Sequence, residues 1–106
     1  MAARRDLDMS NLLRPDEVVQ AEARARDARI LVTDRRVVVA AQGRTAMDLP
    51  IEELRRIQFD IERTRPATLV LVPEHAGIEP QVLAVPHEHI RQVTDALVAI
   101  ARRLSS

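Results

Sequence analysis

The stretch that decides the fold is RILVTDRRVVVAA, residues 29–41, in which two apolar blocks flank Thr33-Asp34-Arg35-Arg36. Threonine and aspartate favour turns because their side chains hydrogen-bond to nearby backbone groups. The pattern therefore predicts strands over 29–32 and 37–41, joined by a tight turn. We expect Asp34 to accept from the turn amides and a neighbouring arginine to lie across the sheet edge, so that this motif has a structural role.

On either side of this hairpin, five more short segments have strand-like patterns: 18–26, 45–49, 57–61, 69–72 and 82–85. Alternate residues of 18–26 are apolar, which favours a strand even though its Ala, Glu, Gln and Arg content favours a helix. Ile57, Phe59 and Ile61 alternate with polar residues, so we expect one buried face. Gly43 should supply the positive φ of a hairpin turn.

From residue 88 the apolar spacing changes to three and four residues. One apolar stripe consists of Ile90, Val93, Leu97, Ala101 and Leu104 and is widened by Thr94 and Ile100, which predicts an amphipathic helix over 88–104. Seven short strands followed by one helix predict a mainly β domain whose helix packs on the sheets. We expect the core to bury together the side chains of Phe59, Ile57, Leu71, Leu83, Val38 and Leu97.

Composition excludes several classes of protein. The 106 residues correspond to one domain, predicted over 12–106, and the charge-rich residues 1–11 are predicted to be a mobile tail. Sixteen arginines balance sixteen acidic residues, which argues against a nucleic-acid binder, and the single aromatic residue offers no platform for stacking bases. No apolar segment is long enough to span a membrane, so we expect a cytoplasmic protein.

Catalytic and metal-binding patterns are weak. The chain has no cysteine, its serines lie near the termini, and no nucleophile elbow occurs. His87-Glu88-His89 is the one His-x-His sequence, but at the start of a helix its two imidazoles point apart, so we expect polar surface residues rather than metal ligands. The sequence predicts neither an enzyme nor a cofactor.

Four segments together carry a family resemblance. Leu13-x-Pro15-x-Glu17-Val18, the Thr33–Arg36 turn between its two strands, Leu49-Pro50-Ile51-Glu52-Glu53-Leu54 and the closing helix resemble a bacterial pleckstrin-homology (PH-like) domain and its GRAM-type relatives. The resemblance covers about residues 12–104. It implies a barrel of seven antiparallel strands in two near-orthogonal sheets, capped by the helix.

The resemblance also implies a non-catalytic interaction or assembly module, which acts through a protein partner or as a homo-oligomer. The alternative is a peripheral membrane or anionic-ligand binder that uses Arg24, Arg26 and Arg29, because basic residues on the first hairpin hold the headgroup in phosphoinositide-binding PH domains. Guanidinium groups suit phosphate, but Glu22 and Asp27 lie close by in the sequence and reduce the field. We therefore expect a protein partner rather than a lipid, nucleic-acid or small-molecule one.

Overall fold

The computed structural model describes residues 13–105, which form seven strands followed by one long helix. The predicted tail, residues 1–11, lies outside the described residues. The strands are β1 (Val19–Arg24), β2 (Ala28–Thr33), β3 (Arg36–Ala41), β4 (Arg44–Pro50), β5 (Leu54–Asp60), β6 (Ala67–Pro73) and β7 (Gln81–Val85). The helix α1 (Ile90–Ser105) follows a 3-10 turn, His87–His89.

All the strand pairs are antiparallel. The first sheet has the order β1-β2-β3-β4 and the second the order β5-β6-β7. At one end of β1, the Arg26 amide donates to the Ala84 carbonyl of β7 at 2.7 Å, which joins the two sheets. The predicted architecture of seven antiparallel strands in two sheets with a C-terminal helix is confirmed.

The β3–β4 hairpin has a two-residue loop, because Ala41 pairs directly with Arg44. Gly43 has the predicted positive φ, 75°, and Gln42 also has a positive φ, 53°. Two consecutive positive φ angles suit the primed turns that match the twist of antiparallel strands. The sequence predicted only the glycine, since glutamine rarely adopts this conformation.

The alanines of β1 make room for the helix, which packs mainly against this strand. Ala23 and Ala96 are both almost completely buried, and small side chains on both surfaces allow the two backbones to approach closely. The buried face of α1 consists of Val93, Ala96 and Ile100. The predicted stripe was therefore wrong at its C-terminal end, where Ala101 and Leu104 are exposed.

The predicted core was correct in part. Leu71 is buried in the main core, and four of the other predicted residues pack against that core while remaining partly exposed: Ile57, Phe59, Leu83 and Leu97. Val38 was assigned to the wrong side of the sheet. It lies in a second, smaller apolar cluster with Leu31 and Ala40, against which Leu13 packs.

Two apolar residues that the sequence pattern predicted to be buried are exposed in the structure. Ile61 follows the end of β5 and is 59% exposed, because the strand stops before it. Val82 is 68% exposed because β7 turns one face away from the core, whereas the apolar run 82–85 suggested a strand buried on both faces.

Candidate functional site

The buried polar residues of the described chain, Glu17, Thr33 and Arg36, form one ion-pair network centred on Glu17. The Arg36 guanidinium binds the Glu17 carboxylate through two nitrogens, with Nε 2.7 Å from Oε2 and Nη2 2.9 Å from Oε1. Its Nη1 lies 2.7 Å from Asp48 Oδ2 on β4. The Glu17 side chain has no exposed surface and that of Arg36 is 6% exposed. The network therefore fastens the segment before β1 to β3 and β4.

The Thr33–Arg36 turn presents its side chains to this network. Thr33 Oγ1 donates to Glu17 Oε2 at 2.7 Å and accepts from the Arg35 and Arg36 amides at 3.1 and 3.0 Å. We expected Asp34 to accept hydrogen bonds from the turn amides, and this prediction was wrong. Asp34 Oδ1 instead accepts a hydrogen bond from the amide of Val18, sixteen positions earlier in the chain. The structural role predicted for the motif agrees with these contacts.

Hydrogen bonding controls the ionisation of Glu17. The bonds from Arg36 lower the pKa of the Glu17 carboxyl from its ordinary value of 4.5 to about 2, against the opposing effect of burial. The same pairing raises the pKa of Arg36. By contrast, the neighbouring Arg35–Asp16 pair, 2.9 Å apart, is exposed to solvent.

The three candidate arginines lie around one concave site. Arg24, Arg26 and Arg29 line a hollow of about 380 Å³ between the β1–β2 and β3–β4 turns, together with Asp27. Arg24 and Arg29 are direct cross-strand neighbours. Like charges in that arrangement repel each other. In the described part of the chain, neither Arg24 nor Arg26 forms an ion pair. The site therefore combines concentrated positive charge with space for a small anion.

His87 takes part in local structure. His87 Nε2 donates to the backbone oxygens of Glu62 and Arg65, at 2.7 Å each, which ties the start of the helix to the β5–β6 turn. Within residues 13–105, no three His, Cys, Asp or Glu side chains are grouped so that they could hold a metal ion. In the same range, no helix combines the length and apolar character that a bilayer crossing requires.

The outer face of the second sheet, which we call the β5–β7 face, is defined by residues that alternate with core positions. They form three cross-strand rows: Arg56–Val72, Gln58–Val70–Val82 and Asp60–Thr68–Ala84. Val82 is the most exposed large apolar side chain of the described residues. The two charged residues of these rows, Arg56 and Asp60, lie on either side of Gln58 along β5. The sequence pattern did not predict this surface, although the polar alternation of 57–61 indicated one edge of it.

Comparison with known proteins identifies the fold. The structure is similar to the crystal structure of a pleckstrin homology domain from Shewanella amazonensis, with a TM-score of 0.66 over 92% of this chain and 93% of that chain. The two sequences are 17% identical. No family model matches the sequence, and no curated protein matches it. Two antiparallel sheets and a C-terminal helix in this arrangement give the chain the fold of a bacterial PH-like domain.

Proposed function

We propose that this chain is a non-catalytic interaction module whose partner is a protein, and in the first place another copy of itself. PH-like domains are typically binding modules, which supports the general class. The observation that carries the proposal is the β5–β7 face, where Val82 is 68% exposed beside Val70 in the same cross-strand row. Apolar side chains grouped on a sheet surface are characteristic of an interaction site.

Static light scattering tests self-association directly. We expect the weight-average mass of the purified chain to exceed the 11.9 kDa monomer and to rise with protein concentration. The concentration dependence follows from mass action, since a small apolar surface supports only a weak contact. A mass that stays at the monomer value up to millimolar protein would refute self-association.

The arginine hollow favours a second candidate function, the binding of a phosphate-bearing ligand. Because Arg24 and Arg26 form no ion pair in the described part of the chain, a bound anion would form charge-assisted hydrogen bonds with their guanidinium groups. The backbone amides of Ala25 and Arg26 are already used by the Ala28 and Ala84 carbonyls. Recognition would therefore depend on the guanidinium groups.

Thermal unfolding in inorganic phosphate tests this candidate. At phosphate concentrations tenfold above the dissociation constant, the native state should gain about 1.4 kcal/mol, which raises the Tm by several degrees. The double variant Arg24→Gln/Arg26→Gln should lose this gain, while Arg63→Gln, an exposed arginine outside the hollow, should keep it. An equal gain in all three proteins would indicate general salt stabilisation and contradict the site. Sedimentation with phosphatidylserine vesicles separates a lipid headgroup from free phosphate.

A further inference from the structure

We propose that a second copy of this chain packs on the β5–β7 face, with the two β5 strands antiparallel about a two-fold axis that runs along the Gln58–Val70–Val82 row. This inference rests on the proposed function and names the surface and symmetry through which the copies meet. It concerns a face distinct from the arginine hollow.

The apolar content of the face lies on β6 and β7. Val70 and Val72 alternate with the buried Leu69 and Leu71, so their side chains point away from the core and remain partly exposed. Val82 and Ala84 alternate with Leu83 and Val85 in the same way on β7. In a face-to-face contact, sheets pack about 10 Å apart through such residues. A partner would therefore bury Val82 against apolar side chains rather than water.

The order of charges along β5 favours a second copy of this chain as the partner on the β5–β7 face. The residues of this strand that belong to the three rows are Arg56, Gln58 and Asp60, which run positive, neutral and negative; Arg55, at the register irregularity before Arg56, is also exposed. Neither Arg56 nor Asp60 forms an ion pair within residues 13–105. Each lies two residues, or roughly 7 Å, from Gln58 along the strand. A two-fold axis through the Gln58 row therefore places Arg56 of one copy over Asp60 of the other, twice.

A second copy of the chain supplies complementary charges to the β5 strand with no additional residues. In an isologous interface the same patch meets itself, so its charges must be self-complementary under the two-fold rotation. The β5 order has that property, whereas an unrelated partner would need a matching arrangement of its own. The chain also has a formal net charge of zero, so long-range repulsion does not oppose the approach of two copies.

The small area of the β5–β7 face indicates how tightly two copies should bind. Three short strands present only a few hundred Å² per copy, well below the ~800 Å² per partner of a standard stable interface. The dimer should therefore be weak and in rapid exchange. Sedimentation equilibrium over a range of protein concentrations measures its dissociation constant.

Charge reversal tests the two-fold register. Arg56→Asp and Asp60→Arg should each weaken dimerisation by about tenfold, because each places like charges opposite one another twice. The double variant Arg56→Asp/Asp60→Arg should restore the dissociation constant to within about threefold of the wild type. Both positions are exposed, so the substitutions should leave the fold unchanged, which thermal unfolding checks.

A second pair of variants tests the apolar part of the contact. Val82→Asp should abolish dimerisation at concentrations where the wild type associates. The matched control is Val98→Asp, an apolar residue 42% exposed on α1, which should have no effect. If Val82→Asp and Arg56→Asp both leave the dissociation constant unchanged in an associating protein, this face is wrong while self-association stands. If Arg56→Asp and Asp60→Arg each weaken dimerisation but the double variant does not restore it, the two-fold register is wrong. A wild type that stays monomeric refutes both proposals.

Discussion

Replacing Glu17 by glutamine should lower the free energy of unfolding by about 3 kcal/mol at neutral pH. Glutamine preserves the size of the side chain but removes the charge that Arg36 binds through two nitrogens in a site shielded from water. Arg36 would retain its ion pair with Asp48. The Asp48 side chain is 38% exposed, so water weakens its attraction for the guanidinium. Urea denaturation measures the loss as a lower midpoint with an unchanged slope.

The matched control is Asp16→Asn, one residue earlier. It removes an equally short ion pair, with Arg35 Nη2 2.9 Å from Asp16 Oδ2, but in a pair that is open to solvent. Surface ion pairs contribute little because water and salt screen them. We expect its urea midpoint to match that of the wild type. Equal effects of Asp16→Asn and Glu17→Gln would show that burial of the Glu17 pair has no special importance.

The Glu17 effect should also depend on pH. The pKa of this carboxyl is about 2 in the folded chain and 4.5 ordinarily, so the unfolded state takes up the proton first as the pH falls. The stabilisation is complete above about pH 5 and is lost as the pH falls through 4.5 towards 2. The difference in unfolding free energy between wild type and Glu17→Gln should shrink over that window. A difference that persists at pH 2 would contradict the assigned ion pair.

Replacing Ile100 by alanine should cost about 2–5 kcal/mol, the range for deleting a large buried aliphatic side chain. Ile100 is 1% exposed and lies on the face of α1 that packs into the main core. Leu97→Ala should cost less, because Leu97 packs at the margin of the same core and remains partly exposed.

The two helix variants together test which face of α1 is buried. Both lose side-chain volume at neighbouring positions of one helix, so their helix propensities change in similar ways. Urea denaturation of the pair therefore isolates the packing contribution. A larger loss for Leu97→Ala than for Ile100→Ala would indicate that the Leu97 side of the helix is the more deeply buried one, which would contradict the structure.

The two proposed interaction surfaces differ in how far local sequence could predict them. The arginines of the first hairpin could be named in advance because Arg24, Arg26 and Arg29 lie within six positions of one another, on β1, on β2 and in the turn between them. The β5–β7 face could not, since its central row joins Gln58, Val70 and Val82 through strand register alone. An apolar run such as 82–85 has no period that distinguishes an inward from an outward residue.

The sequence by itself determined the order of the elements, the positions of the main turns and the change from strands to a final helix. These features depend on periodicity and turn chemistry over a few neighbouring residues. Only the tertiary structure decided that Glu17 meets Arg36 nineteen positions later, that Val38 faces a second apolar cluster, and that Ala101 and Leu104 at the end of the helix stripe are exposed. Those outcomes depend on strand pairing and on the close approach of α1 to the alanines of β1, which bring together residues far apart in the chain.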